Sequence, residues 1–189
     1  AAAVWERHIA SRFPKVPAGT ELRLPDPQDV DNTSFELAVD YAIRDVVVFP
    51  ATCVIDGEGN TLAGSGGGFA NVANLALRKE LHERYAGARH EPWSASMCFD
   101  RAEPFFVDPA PDPAGEVDAS EIDFYTVALH EFGHVLGIGG SHAFRDLVRD
   151  NAFVGPRAVS VYGQPVPLDA DGVHVASTVR FDGEEVLMD

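Results

Sequence analysis

Residues 118–142 place the strongest constraint on the fold, because apolar residues recur there with helical period between a polar start and a glycine-rich end. Two pairs are candidates for a capping box at the start: Asp118 with Glu121, and Ser120 with Asp123. Gly137 is of the residue type that most often ends a helix, and Gly139 and Gly140 keep the helix from resuming. The segment therefore predicts a helix over about 120–136, buried on its apolar sides.

The same predicted helix carries two histidines with a glutamate between them. His130 and His134 are four residues apart, so their imidazoles project from one face. Two neighbouring imidazoles can bind one Zn²⁺ from such a rigid platform. Glu131 lies too far round the helix to be a third ligand, yet within reach of a water beside the metal, where a general base belongs. The pattern favours a zinc site with Glu131 as the catalytic residue over a helix with two packed histidines.

Composition narrows the classes of partner. The 189-residue chain has 14 Lys and Arg against 30 Asp and Glu, and its net charge of −16 disfavours nucleic acids and anionic membrane surfaces. With 46% hydrophobic residues the chain can build a core. No apolar run approaches the roughly 20 residues that span a bilayer, so we expect no membrane insertion. The first residues do not resemble a signal peptide, and we expect the sequence to begin inside a folded region.

The two cysteines, Cys53 and Cys98, both lie in strand-like contexts. One disulfide and two buried thiols fit the sequence equally well. An acidic, lysine-poor chain with few cysteines is typical of a secreted protein, and an extracellular location is our expectation.

Elsewhere the chain alternates loosely between strand-like and helical patterns, which predicts an α+β fold with a mixed sheet. Helices are predicted over 1–13 and 69–86, and strands at 21–24, 35–43, 46–55, 61–63 and 94–99. The glycine run 64–68 is interpreted as a flexible loop, since no phosphate-loop lysine follows it. The proline-rich residues 104–119 are interpreted as a solvated connector. No internal repeat or domain-scale linker indicates a second domain.

Residues 130–137, HEFGHVLG, resemble the zinc-binding helix of the metzincin metallopeptidases, including the glycine that turns the chain toward a third ligand. In the usual metzincin pattern a histidine stands three residues after this glycine, where this chain has Gly140. We favour His174 as the third ligand, because a histidine separated from the glycine by an insertion resembles the leishmanolysin-like branch and its bacterial relatives. His142 is the alternative third ligand, reached if the turn is two residues longer.

Two glutamates are further candidates for the third ligand, and a methionine turn is a further point of resemblance. Glu184 and Glu185 remain further alternatives to His174. A methionine-containing turn follows the third histidine shortly afterwards in the family, and Met188 stands where that turn is expected. Core packing is the alternative role for Met188.

The resemblance implies a metzincin-like α+β fold: a mixed twisted sheet, a long N-terminal helix, an active-site helix and a small C-terminal lobe that ends at the Met-turn. A single catalytic domain would then cover 1–189, with an N-terminal lobe of about 1–137 and a C-terminal lobe of about 138–189. It also implies a zinc-dependent endopeptidase that hydrolyses peptide bonds with a metal-bound water activated by Glu131. Zn²⁺ is the expected cofactor, and a protein or peptide the expected substrate. Two other functions stay open: a non-catalytic, zinc-stabilised binding or adhesion module, and a zinc hydrolase acting on a non-peptide amide.

Further residues are candidates for secondary roles. Residues 61–65 and 94–99 are candidate edge strands for pairing with an extended peptide. Tyr125 and Tyr162 are candidates to assist the oxyanion that forms during hydrolysis, and a packing role is the alternative for both. The acidic segment 169–172 leaves a structural calcium site open. The remaining histidines are expected to be structural or solvent-facing: His8, His82 and His90.

Overall fold

A computed structural model describes residues 1–9, 14–26, 29–67, 69–70, 74–86, 90–108, 117–118 and 120–188. Its helices are α1 (Ala2–Glu6), α2 (Leu75–Glu83), α3 (Phe124–Val135), α4 (His142–Arg145) and α5 (Pro156–Tyr162). Its strands are β1 (Thr20–Asp26), β2 (Asp29–Val39), β3 (Val47–Cys53), β4 (Ala63–Gly67), β5 (Phe69–Ala70), β6 (Ser94–Asp100), β7 (Phe105–Phe106), β8 (Ile122–Asp123), β9 (Val148–Arg149), β10 (Ala152–Phe153), β11 (Val166–Pro167), β12 (Arg180–Phe181) and β13 (Glu184–Glu185). The predicted α+β class is confirmed.

The sheet that positions the candidate site consists of β3, β6 and β4, in that order. β6 is central and buried along its whole length, as expected for a strand that has a neighbour on each side and packing on both faces. β3 runs parallel to β6, with Val47 opposite Ser94. β4 runs antiparallel to β6, with Ala63 opposite Phe99, and forms an edge of this sheet.

A disulfide joins two strands of this sheet, and a buried carboxylate holds the loop that follows β3. Cys53 and Cys98 are bridged, which joins β3 to β6 and settles the choice left open by the sequence. Asp100 is 0% exposed, and its Oδ2 accepts hydrogen bonds from the backbone N–H groups of residues 55–57 at 3.0 to 3.2 Å. Its Oδ1 accepts from the N–H of Ala102 at 2.9 Å. The Ala102 bond, followed by the loop bonds, holds the pKa of Asp100 below its usual range.

A second sheet contains β2, β1 and β5, with β1 in the middle. β1 and β2 pair antiparallel, with Thr20 opposite Val39. Buried side chains from this sheet, α2 and the adjoining loops form the first core cluster: Val16, Leu24, Val39, Ile43, Leu81 and Trp93.

α3 packs against the β3-β6-β4 sheet and completes a second cluster: Ala95, Met97, Phe99, Val127, Ala128 and Val135. The helix begins at Phe124 because the Asp123 carboxylate accepts from the N–H groups of Tyr125 and Thr126, at 3.1 and 3.0 Å. Trp5 of α1 donates its indole N–H to the carbonyl of Leu129 at 3.0 Å. The active-site helix predicted from the sequence is therefore held from both sides.

After α3 the chain forms short elements. β9, β10 and β11 make a small antiparallel sheet, and β12 and β13 make a hairpin. α5 starts with Pro156, whose locked φ suits a first helical position, and ends at Gly163, which adopts a left-handed φ of 88°. In the part of the chain described, no helix combines the length and apolar character needed to cross a membrane.

The predicted strands at 21–24, 46–55 and 94–99 are confirmed by β1, β3 and β6, whereas 35–43 overlaps only the second half of β2. Two interpretations near the site are wrong. Residues 64–67 of the glycine run are not a loop, because hydrogen bonding to the buried β6 outweighs the weak strand preference of glycine and makes them part of β4, and residue 68 lies outside the described part. Residues 94–99 are not an edge, because β6 lies between β3 and β4.

Three predicted helical boundaries also differ. α1 ends at Glu6, so the N-terminal helix is short where it is described, and residues 10–13 lie outside the described part. Within the predicted helix 69–86, Phe69–Ala70 is a strand and α2 starts at Leu75, because Asn74 caps it. Neither predicted capping box starts α3, since Asp123 alone caps it.

The predicted connector 104–119 contains a strand, because Phe105–Phe106 forms β7. Residues 109–116 and 119 lie outside the described part.

Candidate metal centre

The first two histidines of the candidate site project from one face of α3, as their spacing predicts. The Nε2 atoms of His130 and His134 lie 2.9 Å apart. Both rings are half-buried. Gly137 ends the helix with a φ of 103°, and the chain then turns back so that the Ile138 carbonyl meets the His134 ring.

A turn after β11 brings His174 to the same point. Gly172 adopts a φ of 69°, and the N–H of Asp169 donates to the carbonyl of His174 at 2.9 Å, which closes the turn. The Nε2 of His174 then lies 3.2 Å from the Nε2 of His134. Among the described residues, His130, His134 and His174 form a group of nitrogen ligands that could bind one metal ion.

Each ring of this histidine triad (His130, His134 and His174) is oriented by an acceptor at its other nitrogen. The Nδ1 of His130 lies 2.8 Å from the Leu187 carbonyl, and the Nδ1 of His134 lies 3.0 Å from the Ile138 carbonyl. The Nδ1 of His174 lies 2.7 Å from Asp171 Oδ2. Carbonyl and carboxylate oxygens only accept, so each Nδ1 carries a ring proton, and a neutral imidazole held in this way presents the lone pair of its Nε2.

This arrangement fits a zinc ion. Three lone pairs that converge on one point repel one another unless a cation lies between them. Nitrogen ligands at the usual Zn–N distance in a tetrahedral site lie about 3.3 Å from one another. The observed separations of 2.9 and 3.2 Å are close to that spacing.

The electrostatics favour the neutral, ligating form of His134. Burial lowers the pKa of His134, and this effect outweighs the hydrogen bond with the Ile138 carbonyl, which raises it. Asp171 has its pKa lowered to about 2, first by the backbone N–H of Val173 and then by the ring of His174. The Asp171 carboxylate is therefore charged at neutral pH and accepts the Nδ1 proton of His174.

Glu131 lies on α3 between His130 and His134 and is 5% exposed. Its Oε2 is buried and has no hydrogen-bond partner among the described residues. An orphaned carboxylate oxygen in such a place is costly unless a bound molecule supplies a donor. A water or substrate group beside the triad would supply one.

Met188 packs against α3 at Gly133. It is 7% exposed, and its Sδ lies 2.5 Å from the point that a Cβ on Gly133 would occupy. The preceding carbonyl, of Leu187, is the one that receives the His130 ring. The packing of Met188 against α3 is therefore coupled to the orientation of a candidate ligand, His130.

The alternative third ligands lie elsewhere. His142 is exposed at the start of α4 and is not part of the triad. Glu184 is exposed in the β12–β13 hairpin, and Glu185 lies on the same hairpin.

The other candidates occupy varied places. Tyr125 lies in the first turn of α3 and Tyr162 ends α5, and their assistance at an oxyanion stays a prediction. His8 is exposed just after α1, and His82 lies within α2. His90 is half-buried, with its Nε2 3.1 Å from the Val135 carbonyl.

The sequence interpretation missed Asp171 and the Leu187 carbonyl. Asp171 was interpreted only as part of a possible calcium site. An aspartate in a turn, three residues before a candidate ligand histidine, could have indicated a carboxylate that orients the histidine ring. The Leu187 carbonyl carried no signal, because a backbone acceptor is common to every residue type. Calcium binding stays a hypothesis.

Comparison with known proteins connects this site to one family. A search of curated proteins and a search of solved structures each found no match. The model of the matrixin family of peptidases matches residues 75–158, which is under half of the chain but includes α3 with His130, Glu131 and His134. This match does not support the leishmanolysin-like branch, and the mixed α+β architecture is consistent with a matrixin fold. Residues 75–158 are thus similar to the matrixins, which implies zinc and supports a metalloprotease of the metzincin type.

Proposed function

We propose that the protein is a zinc-dependent endopeptidase in which His130, His134 and His174 hold the metal and Glu131 is the catalytic base. One observation carries the proposal: nitrogen atoms of three imidazoles converge near Glu131, whose buried Oε2 has no partner in the described part of the chain. A site with only a structural role would have no use for such a carboxylate. The matrixin match over α3 adds independent support.

Zinc, when bound, supplies a Lewis acid that acidifies water and polarises a carbonyl. The chain supplies the proton transfers. Glu131 takes the proton of the attacking water at its unpartnered Oε2 and passes it to the departing amine. Because α3 holds Glu131 and the two histidines in one rigid frame, the base is in position before the substrate binds.

The peptide would pair with β4. This strand is at an edge of its sheet and lies against α3, where the Ser65 hydroxyl donates to the Glu131 carbonyl at 3.3 Å. An edge strand offers unpaired backbone groups, so an extended substrate gains main-chain hydrogen bonds independently of its sequence. Residues 61 and 62 of the predicted edge precede β4, and residues 63–65 lie on it.

Two finer assignments belong to the same proposal. The long insertion between Gly137 and His174 is the feature that resembles the leishmanolysin-like branch, with Met188 in its Met-turn. The bridge between Cys53 and Cys98 supports secretion, because disulfides persist in oxidising compartments.

The test measures metal and cleavage together. The purified chain should contain one zinc per molecule and cleave casein, and Glu131→Gln should retain zinc while its kcat falls by about 10²–10⁴-fold. Cleavage that survives in Glu131→Gln would overturn the role of Glu131. A chain that binds zinc yet cleaves neither casein nor gelatin would instead be a zinc-stabilised module.

A further inference from the structure

A cavity of about 400 Å³ lies between α1 and α3, on the side of α3 opposite the histidine triad. An α-helix turns by roughly 100° per residue, so Phe132, which lines this cavity, lies about 160° round the helix from both His130 and His134. The volume is within the range of ligand-binding pockets, about 300–1,000 Å³. This cavity, the α1–α3 pocket, is therefore large enough for a small molecule and separate from the candidate metal centre.

The walls of the α1–α3 pocket are mostly apolar and come from three parts of the chain. Its large apolar side chains are Trp5, Ile9, Val46, Phe132, Val135 and Leu136. Trp5 is fixed in position, because its indole N–H donates to the carbonyl of Leu129 at 3.0 Å. Ile9 is 41% exposed, so part of this apolar surface is in contact with water. A ligand with an apolar body would remove that surface from water.

Two carboxylates belong to the same lining: Glu6 of α1, and Asp45, which lies two residues before β3. Both residues are exposed. Within the described part of the chain, neither side chain forms a salt bridge or a hydrogen bond with another residue. The described lining contains no lysine, arginine or histidine, so no basic side chain on these walls neutralises the two charges. The potential in the pocket therefore favours a cation.

We infer that the α1–α3 pocket binds a small organic cation that joins an apolar body to an ammonium or guanidinium group. The apolar body would pack against Trp5 and Phe132, and the cationic group would face Glu6 and Asp45. A cation beside the indole ring also gains the attraction of an aromatic face for positive charge. Because no member of the triad is among the described lining residues, binding here is independent of the proposed peptidase function.

The experiment follows the indole N–H signals of the two tryptophans by NMR while ligands are added to the isotope-labelled full chain in the presence of zinc. Trp5 lines the pocket, whereas Trp93 is 0% exposed in the first core cluster and serves as an internal control. The ligands are phenylpropylguanidinium, its neutral counterpart phenylpropylurea, and methylguanidinium, which lacks the apolar body. A guanidinium group stays protonated, so it does not compete with the histidines for the metal.

Phenylpropylguanidinium should shift the Trp5 signal and leave the Trp93 signal in place. It should bind about fivefold tighter than the urea, as expected for an exposed ion pair, and this ratio should narrow in about 0.5 M sodium chloride. Methylguanidinium should bind at least about tenfold more weakly, because it buries no phenyl ring. Glu6→Gln and Asp45→Asn should each lower the guanidinium-to-urea ratio, whereas Asp146→Asn, at an exposed position after α4, should leave it unchanged.

Ala2 provides a variant that fills the α1–α3 pocket, and Ala3 provides its matched control. Ala2 lines the pocket, whereas Ala3, the next residue of α1, is exposed and is not among the described lining residues. Ala2→Leu should weaken phenylpropylguanidinium binding by at least about tenfold, and Ala3→Leu should retain it. Equal affinity for the guanidinium and the urea, a Trp5 signal that does not move, or unchanged binding in Ala2→Leu would overturn the inference. If Ala2→Leu does not fold, the guanidinium-to-urea ratio of the parent and of Asp45→Asn decides the matter alone.

Discussion

Met188 occupies the space that a side chain on Gly133 would need: its Sδ lies 2.5 Å from the position of a Cβ on that residue. Glycine within a helix costs roughly 1 kcal/mol relative to alanine, so its presence in the middle of α3 has a packing reason. The contact lets the chain at Leu187 approach the helix closely enough for its carbonyl to receive the His130 ring.

Gly133→Ala should lower the free energy of unfolding by about 1 kcal/mol, because an overpacking cost of about 1–3 kcal/mol exceeds the helix-propensity gain. The cost falls at the low end because the flexible end of Met188 can move. Zinc affinity, measured by chelator competition, should fall as the Leu187 carbonyl shifts. In a Met188→Ala background the same change should stabilise the chain by up to about 1 kcal/mol. If urea denaturation gives the same stability change for Gly133→Ala in the parent and in Met188→Ala, the contact between Met188 and Gly133 does not cause that change.

His174→Ala should reduce zinc affinity by more than the roughly 10–100-fold typical of an outer-shell change, because it removes a ligand rather than its support. His142→Ala should retain one zinc per chain at nearly the parent affinity, since His142 is exposed and outside the triad. Metal content by mass spectrometry and competition with a fluorescent chelator measure both. If His142→Ala loses the zinc and His174→Ala keeps it, the assignment of the third ligand is reversed.

Asp171→Asn should weaken zinc binding by about 10–100-fold, because the amide cannot match a carboxylate as acceptor for the His174 Nδ1 proton. Asp169→Asn, in the same turn, is the matched control and should bind zinc as the parent does. The two variants are compared by isothermal titration at one pH. An unchanged affinity in Asp171→Asn would mean that the turn alone orients His174.

Asp100→Asn should lower the stability at pH 7 and flatten its decline in acid. The four backbone N–H groups that hold the pKa of Asp100 low stabilise the folded chain above the ordinary aspartate pKa of about 3.9. That contribution is lost as the pH falls from there through the lower folded pKa. Urea denaturation at pH 6, 4.5 and 3 should therefore show a gap between parent and variant that narrows in acid, and the contribution of the metal site cancels from this difference. Asp146→Asn, which alters an exposed carboxylate at the end of α4, should leave the slope unchanged. A gap that stays constant with pH would contradict the proposed role.

Local features of the sequence determined the helix that carries His130 and His134. The four-residue spacing of His130 and His134 places two rings on one face of any helix, and Gly137 ends that helix whatever surrounds it. These are properties of neighbouring residues, so they needed no tertiary information.

Only the tertiary structure decided which histidine joins the pair and which strand forms the edge of the sheet. His174 is 40 residues from His134, and its approach depends on how the intervening elements pack. The glycine run became β4 because the buried β6 offered it hydrogen bonds, which outweigh the conformational preference of glycine itself. Contacts between residues distant in sequence are set by burial and pairing across the whole chain, and no local pattern records them.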